Sequence, residues 1–486
     1  MNYYLITPEI IVAGLAVAVI LLDLIVRNKG ILAALSIVGL LGSLAVSIAL
    51  WGRTDNELFG GMLRIDQLAL SFNVLLCGVA ILVILASQDY VSKFARFQGE
   101  FYALLLLSVI GMMLMAASRD LITIYVSLEA TSISLYALTA FLKDKKSSEA
   151  GLKYLLLGAI ASGILLFGMA LTFGVTGETN IGDITTALAA SGMGYADNPA
   201  ILLGLIFLIG GFGFKIATVP MQMWVPDVYE GAPTPITAYL SVASKAVGFA
   251  VILRVFFGAF GGDQFSDYWA MIFAVLSAIS MLVGNIVAIQ QTNIKRMLGY
   301  SSIAQAGYLM VGLAAVTKDP GADFAMYGPT GIVFFMAAYA LANLGVFFAV
   351  IAITNKINSD KIEGFSGMGH RAPLLSLALT LCLISLTGLP PAAGFLAKFY
   401  LFNSAVHQGL AWLVVLGVFN SAISAYYYFR VVKVTWFGAP KSEDSVPSSW
   451  ALRIALLITC LGVLVLFFYP SGLLYVAQTV AGVLSP

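Results

Sequence analysis

The chain has 486 residues, of which 60% are hydrophobic and only 10% are charged. A soluble domain usually carries about 25% charged residues, so this composition excludes an ordinary water-soluble protein and indicates an integral membrane protein with many spans. The net charge of +1 and the absence of a basic patch outside short loops give no sign of a nucleic-acid partner, which leaves the lipid bilayer as the first expected partner.

The N-terminus begins with an apolar run that no basic residue precedes. This pattern argues against a cleaved signal peptide. The triplet Thr7-Pro8-Glu9 is typical of a helix start, with a capping hydroxyl, a proline at the first helical position and an acid in the first turn. We therefore expect the first spanning helix to begin here.

Apolar runs of about 20 residues predict about 14 transmembrane helices in an all-α fold. The expected spans are 6–26, 31–51, 67–88, 100–117, 120–142, 149–174, 200–228, 234–258, 268–290, 294–315, 328–354, 373–406, 409–436 and 450–469. The seventh and the twelfth are longer than one span requires and contain prolines.

The orientation follows from the distribution of Lys and Arg between alternate loops. With the N-terminus outside, the cytoplasmic loops hold seventeen of the 25 basic residues, among them Lys93, Arg96, Lys295 and Lys441. The outside loops hold five, which are Arg53, Arg64, Arg119, Arg254 and Lys318. This bias predicts that both termini face outside.

The three remaining basic residues, Lys215, Lys245 and Lys398, lie deep in apolar runs, and Glu129 lies near the middle of the fifth span. Three further acids, Asp23, Asp66 and Asp120, lie nearer helix ends, where the membrane interface explains them. A charge at the bilayer centre costs about 2.5–3.5 kcal/mol, so such residues normally face a protein interior and serve a function. Burial disfavours the charged form and a nearby opposite charge restores it, so a Glu–Lys pair that opens and closes can relay protons.

Prolines interrupt the seventh and twelfth spans. Pro220 follows Lys215 by five residues, and Pro390 and Pro391 precede Lys398. Free backbone groups at membrane depth are tolerated only where protein or water satisfies them, and paired broken helices indicate an ion path built from inverted repeats. The spacing predicts one integral domain, 1–486, with N-terminal helices (1–99), a five-helix repeat of spans 4–8 (100–258), an inverted repeat of spans 9–13 (268–436) and a C-terminal helix (450–486).

Blander interpretations remain for both features. The buried charges could form packing or assembly salt bridges, and the prolines could be ordinary helix kinks. Four central ionisable groups are hard to explain as stabilising devices, because buried ion pairs are often no more stable than apolar replacements.

Several stretches of the sequence carry a specific resemblance: "VPDVYEGAPTPITAYLSVASKAVGF", "SLEATSISLYAL", "NIKRMLGYSSIAQAGYLMVG" and "GLPPAAGFLAKFYLF". They resemble the antiporter-like subunits of respiratory complex I, the NADH–quinone oxidoreductase, over roughly residues 60–440. The "PDVYEGAPTP" wording is more similar to the N-type (ND2-type) subunits than to the L or M types, and so is Lys398, where the M type is expected to have a glutamate.

The resemblance implies a proton-pumping subunit of the bacterial inner-membrane arm. Glu129 would pair with Lys215, Lys245 would be the central relay group, and Lys398 would lead to the outside exit; Lys153 would lie near the cytoplasmic entrance. NADH, FMN, iron–sulfur clusters and quinone would belong to partner subunits, and the neighbours would be other membrane-arm subunits.

Two positions depart from the family pattern. Gln222 and Gln305 stand where many relatives have histidine. Glutamine can orient water but cannot titrate near neutral pH, so a path here must depend on lysines, Glu129, water and hydroxyls such as that of Tyr308.

The sequence contains no recognisable cofactor or metal motif. The two histidines, His370 and His407, are predicted on opposite membrane faces, and the cysteines Cys77, Cys382 and Cys460 show no Cys-x-x-Cys spacing. We therefore expect no redox centre, metal or cofactor in this chain.

Three alternatives stay open at the level of sequence. An Mrp-type cation/proton antiporter subunit would share the fold and the buried charges. A purely structural scaffold would predict that neutralising the charges affects assembly alone. A related quinone-reducing complex with another electron donor would use a similar subunit.

Overall fold

The computed structural model describes residues 2–53, 56–92, 97–191, 198–316, 327–440, 442 and 444–484. The predicted loop residues Lys93, Arg96, Lys318 and Lys441 lie outside these ranges. The described part is almost entirely α-helical, as expected, apart from one short antiparallel hairpin in which Asn56 pairs with Ile65.

The first part of the chain contains α1 (Thr7–Asp23), α2 (Gly30–Ala49), β1 (Asn56–Leu58), β2 (Leu63–Ile65), α3 (Gln67–Val91), α4 (Gln98–Ala117), α5 (Leu121–Thr139), α6 (Lys145–Thr176) and α7 (Ile181–Ser191). The middle part contains α8 (Pro199–Ile216), α9 (Trp224–Gly231), α10 (Thr234–Tyr239), α11 (Lys245–Arg254), α12 (Asp263–Ile289) and α13 (Ile294–Ala314). The last part contains α14 (Tyr327–Ile357), α15 (Met368–Arg371), α16 (Pro373–Thr387), α17 (Ala393–His407), α18 (Ala411–Phe437), α19 (Trp450–Phe468) and α20 (Ser471–Gly482).

Asp and Asn side chains begin several of these helices. The carboxylates of Asp120 and Asp144 accept backbone N–H bonds at the starts of α5 and α6, at 3.0 and 2.7 Å. The Asn293 side chain does the same at the start of α13, at 2.9 Å. These caps satisfy N–H groups that the first helical turn leaves without an internal partner.

Twelve helical segments among the described residues are long and apolar enough to cross a membrane. The predicted spans 294–315 and 373–406 are also helical, as α13 and as the pair α16–α17, but they are not among these twelve. The multi-span all-α architecture is therefore confirmed. The total of fourteen spans, the inverted repeats and the four-part division stay predictions.

The most buried of these segments runs from Thr234 to Ala259, in which every residue is buried except the partly buried Phe257 and Gly258. It comprises α10, a π-helical stretch at Leu240–Ser244, α11 and a second π-helical stretch at Val255–Ala259. Helices α2, α6, α18 and α19 expose large apolar side chains on their outer faces, as a bilayer requires.

The structure places helix ends at both predicted breaks. Helix α8 stops before Ala217, and α16 stops before Gly388; both residues have positive φ, 62° and 88°. In each case the next amide closes the helix end on a carbonyl five residues earlier, Thr218 N to Gly213 O at 2.9 Å and Leu389 N to Ile384 O at 3.3 Å. The prolines follow these caps, where helix cannot continue.

Three expectations need correction. The segment 175–199, predicted as a loop between the sixth and seventh spans, contains the short helix α7. The C-terminal region 450–486 contains two helices, because Pro470 ends the first and α20 packs back on α14 and α3. Arg254 and Lys295, predicted as loop residues, are each only 5% exposed, because both lie in helices packed inside the protein.

Candidate functional site

Lys215 lies at the end of the first half of the broken seventh span. Its side chain is 5% exposed, and Nζ donates a hydrogen bond to Ser132 Oγ on α5 at 2.5 Å. Ser132 in turn donates to the Leu128 carbonyl at 2.5 Å. The ammonium of Lys215 is thus held by a neutral hydroxyl inside the protein.

Glu129 lies one turn before Ser132 on α5 and interacts electrostatically with Lys215. The two side chains form no ion pair within 4 Å, although the structure describes both residues. The predicted pairing of Glu129 with Lys215 is thus an electrostatic interaction without direct contact, and the ammonium donates to Ser132. Glu129 is only partly buried, and its Oε1 atom is shielded from solvent without a hydrogen-bond partner.

Lys245 begins α11, directly after the π-helical stretch, and is 1% exposed. Its Nζ donates to the backbone carbonyl of Ser302 on α13. The hydroxyl of Ser302 faces that of Tyr229 at 3.3 Å. Single π-helical turns are frequent at functional sites, and this one precedes the most buried of the three lysines.

The seventh span and α11 approach each other closely at Gly248, one turn beyond Lys245. A Cβ atom at Gly248 would lie 2.8 Å from Ile216 Cγ2 and 3.6 Å from Lys215 Cβ. A methyl group at this position would therefore force the Ile216 side chain, next to Lys215, to shift. Lys215 and Lys245 belong to adjoining packed segments.

An aromatic cluster lies beside this contact. Tyr154 of α6 stacks on Trp224 at 4.5 Å between ring centroids and meets Tyr136 of α5 edge-on at 4.8 Å. Its hydroxyl is buried and, in the described part of the chain, lies near Ser244 without forming a hydrogen bond. Trp224 Nε1 donates to the Phe214 carbonyl at 3.0 Å, so the second half of the broken span caps the first.

Lys398 lies on the second half of the broken twelfth span and is 5% exposed. Its Nζ donates to the Thr387 carbonyl at 2.8 Å and to Ser421 Oγ at 3.0 Å, and it lies 4.0 Å from the centre of the Tyr308 ring. Gly388 makes this contact possible: its φ of 88° favours glycine, and a Cβ there would lie 2.8 Å from Lys398 Cδ.

The end of α16 leaves the carbonyls of Leu386 and Thr387 without a helical donor, and the two prolines that follow cannot supply one. In a continuous helix, residues 390 and 391 would donate to the carbonyls of Leu386 and Thr387, but proline has no N–H. Gln305 Nε2 donates to the Leu386 carbonyl at 2.9 Å, and Lys398 takes that of Thr387. A cavity of about 10 Å³ lies between Gln305 and Lys398, which is roughly the space of one water molecule.

A row of hydroxyl and amide groups leads from Lys245 towards Lys398 along α13 and α18. Ser301, next to the residue that binds Lys245, contacts the Tyr428 hydroxyl, and Gln305 Nε2 lies 3.5 Å from the same hydroxyl. Ser421 Oγ donates to Tyr308 Oη at 3.3 Å. The structure therefore brings the predicted Gln305 and Tyr308 to Lys398.

Gln222 lies within the first break, in the 3-10 turn Met221–Met223. Its Oε1 atom is buried and has no hydrogen-bond partner among the described residues. Gln222 is thus placed at a break, as predicted, but unlike Gln305 it holds no freed carbonyl.

Lys153 belongs to a charged cluster at the start of α6. It forms ion pairs with Asp227 and with Glu149, both at 2.8 Å. Asp227 also binds Arg296 at 2.6 Å, and Glu230 binds Arg296 at 3.3 Å. A surface cleft of about 220 Å³ opens among these residues. Sequence reasoning used the "PDVYEG" stretch only as a family signature and missed that its two carboxylates form this cluster.

A second feature missed from the sequence is the buried pair of Asp66 and Arg254. Two guanidinium nitrogens bind the two carboxylate oxygens at 2.8 Å each, and the same guanidinium donates to the Ala116 carbonyl. Burial alone would raise the pKa of Asp66, but Arg254 holds that pKa below its usual value. Asp66 lies at the N-cap of α3, near a helix end as predicted, but its partner is a cation from the end of α11, which the sequence did not indicate.

Among the described residues, no group of three or more His, Cys, Asp or Glu side chains is arranged to hold a metal ion. The buried lysines Lys215, Lys245 and Lys398 donate instead to hydroxyl and carbonyl oxygens.

Comparison with known proteins gives the family. The family model described as "NADH:quinone oxidoreductase/Mrp antiporter, TM" matches residues 118–424. A protein of Dehalococcoides mccartyi named NADH-quinone oxidoreductase subunit N is 47% identical and covers 96% of each chain. The chain belongs to this family. The predicted membership among the subunits of NADH–quinone oxidoreductase, on the N-type side, is confirmed.

Two solved structures separate the branches of the family. A chain in respiratory complex I from Thermus thermophilus with bound aureothin is 32% identical, with a TM-score of 0.80, and covers 96% of this chain and 98% of its own. A chain of the Mrp complex from a Dietzia species has a TM-score of 0.87 and covers 100% and 98%, but it is 19% identical and shows the fold alone. The NADH–quinone oxidoreductase branch is therefore the better match.

Proposed function

We propose that the chain is a proton-translocating subunit in the membrane arm of a bacterial NADH–quinone oxidoreductase. One observation carries the residue assignment: Lys215, Lys245 and Lys398 are almost fully buried, yet in the described part of the chain none has a carboxylate within 4 Å. Buried charges without a counter-ion are costly. Three of them in adjoining segments are best explained as groups that take up and release protons.

The geometry supports an order for the relay. The cluster of Lys153 and its partners would be the cytoplasmic entrance, and Lys215 with Glu129 would receive the proton. Lys245 would be the central group, and Lys398 would release the proton towards the outside. Because Glu129 acts on Lys215 without direct contact, a change in its charge would shift the proton affinity of Lys215 while Ser132 keeps the side chain in place.

Between Lys245 and Lys398 the relay would use the hydroxyls on α13 and α18 and one water molecule near Gln305. Glutamine keeps its donor on the Leu386 carbonyl and has an oxygen left to orient that water. Gln305 would thus act as a positioning residue and would not itself titrate.

Electron transfer would take place in partner subunits. NADH, FMN, the iron–sulfur clusters and the quinone would be bound there, and both termini of this chain would face the outside of the bacterial inner membrane. An Mrp-type antiporter remains the second candidate, supported by the shared fold. A related complex with another electron donor would use the same relay.

Replacing Lys215 by Ala tests the proposal in membranes that contain the assembled complex. We expect normal complex size on a native gel and loss of most proton pumping per NADH oxidised. The matched control is Lys361→Ala. Lys361 is exposed, so this substitution removes the same charge at a position outside the relay. Normal pumping in Lys215→Ala would contradict the relay, and loss of the complex in Lys215→Ala alone would favour the scaffold alternative.

A further inference from the structure

A carboxyl group that the relay does not use is buried between the N-terminal helices. Glu9 lies in the first turn of α1 and is 3% exposed. Its Oε1 atom accepts a hydrogen bond from Asn73 Nδ2 on α3 at 2.8 Å. This contact joins α1 and α3 through two residues that are 64 positions apart in the chain. Both lie outside the two predicted repeats.

The other two polar atoms of this pair are unpartnered. Glu9 Oε2 and Asn73 Oδ1 are both shielded from solvent, and neither accepts a hydrogen bond from any residue that the structure describes. An ionised carboxylate and an amide carbonyl are both acceptors, so neither can satisfy the other. A proton on Glu9 changes this, because Oε2–H becomes a donor that can bond to Asn73 Oδ1 and complete a two-bond acid–amide pair.

We propose that Glu9 is a proton-binding site that stays occupied at neutral pH and during turnover. The proton makes Glu9 a neutral carboxylic acid, and the resulting pair with Asn73 holds α1 to α3. The site is separate from the row of buried lysines and does not depend on the function proposed for them.

The N–H groups at the start of α1 favour a carboxylate at Glu9, but the described residues around it offer no cationic side chain to stabilise one. The Cys77 thiol on α3 interacts with it electrostatically and would repel it if ionised. Helix α2 has no ionisable side chain, and its Ser43 hydroxyl is already bonded to the Pro8 carbonyl at 3.0 Å.

The other described elements around α1 also place no positive charge beside Glu9. The ionisable residues of α4, Glu100 and Tyr102, lie in its first turns beside the far end of α1, where Gly99 meets Asp23. The turn before α1 carries Tyr3 and Tyr4, and the Arg53 guanidinium lies over the Tyr4 ring. Asp66, at the start of α3, is bound by Arg254 and adds no positive charge.

Infrared spectroscopy of the assembled complex at neutral pH tests the proposal. The C=O stretch of a protonated carboxyl group lies apart from that of a carboxylate and shifts in D₂O. We expect the wild type to show such a band that Glu9→Gln lacks, whereas Glu100→Gln, which changes an exposed acid, keeps it. A wild-type spectrum identical to that of Glu9→Gln in this region would overturn the proposal.

Two further measurements keep the test decisive. Glutamine can form the same two-bond pair with Asn73, so the Glu9→Gln complex should assemble and pump as the wild type does. Loss of pumping in an assembled Glu9→Gln complex would show that the proton leaves Glu9 during turnover. That result would contradict stable occupancy of the site. If the Glu9→Gln complex does not assemble, the infrared spectrum of Asn73→Val provides the second test. It keeps Glu9 but removes its amide partner, so the band should shift in frequency, and an unchanged band would exclude the acid–amide pair.

Discussion

The two helix breaks share a backbone arrangement and differ in where they place their lysine. When Ala217 is matched with Gly388, both at a helix end with positive φ, Pro220 falls opposite Pro391. Lys215 then lies two residues before its break, and Lys398 lies ten residues after its own. In the same match, the position that corresponds to Lys398 in the first break is Asp227. This residue belongs to the charged cluster around Lys153.

The consequence is that the two lysines depend on different kinds of acceptor. Lys398 faces back into its own break and binds a carbonyl that proline leaves free. Lys215 points away from its break and depends on the hydroxyl of Ser132 from another helix. A similar backbone thus holds one ammonium through the main chain and the other through a side chain, which makes the two sites sensitive to different substitutions.

Replacing a proline of each break by alanine restores a backbone N–H. We expect this change to have the largest effect on proton pumping and to differ most between the two breaks. In Pro391→Ala the new amide can compete for the Thr387 carbonyl and deprive Lys398 of it. A lost hydrogen bond to a charged group is worth roughly 1.5–3 kcal/mol, so we expect pumping to fall about tenfold or more. Pro220→Ala is the matched substitution, and it leaves the Lys215–Ser132 contact in place. Proton pumping per NADH oxidised measures both.

The comparison would fail if Pro220→Ala and Pro391→Ala reduced pumping equally in fully assembled complexes. That result would mean that the breaks matter as flexible joints and that the freed carbonyls do not select the position of the lysine. Complex assembly, checked on a native gel, separates either result from misfolding.

Removing the side-chain acceptors should reverse this order, so that the loss of pumping is larger at Lys215 than at Lys398. Ser132→Ala takes away the hydrogen-bond acceptor seen for Lys215, whereas Ser421→Ala leaves Lys398 its bond to Thr387. We expect pumping to fall roughly tenfold in the first variant and about twofold in the second, on the scale of one hydrogen bond to a charged group. Initial pumping rates in membrane vesicles would show this, and a larger loss in Ser421→Ala would contradict it.

Much of this arrangement follows from the sequence, because its signals are local. Apolar runs, prolines and single charges predicted the helices, both breaks and the burial of the three lysines. The partners could not be predicted in the same way, because they come from distant segments: Ser132 is 83 residues from Lys215, and Asp66 is 188 residues from Arg254. Arg254 was wrongly predicted as a loop residue because composition alone does not show how helices pack.

The same limit applies to Glu129. Its position near mid-span could be predicted, but the choice of Lys215 between a carboxylate and a hydroxyl depends on how α5 faces α8. The freed carbonyls are an intermediate case. Proline at 390 and 391 identifies Leu386 and Thr387 as free acceptors from the sequence alone, and only the packing of α13 shows that Gln305 takes one of them.

The smallest expected difference concerns the two glutamines at the breaks. Gln305→Leu removes the donor to Leu386 and one polar wall of the small cavity beside Lys398, at a cost of about 1 kcal/mol for a neutral hydrogen bond and a severalfold loss of pumping. Gln222→Leu removes a side chain whose buried oxygen has no hydrogen-bond partner, so it should change pumping less than twofold, because replacing an unsatisfied polar group costs little. Pumping rates of the two variants, in complexes of equal assembly, decide between them. An equal or larger loss in Gln222→Leu would show that the first break also holds a working water, and the two breaks would then differ in their lysines alone.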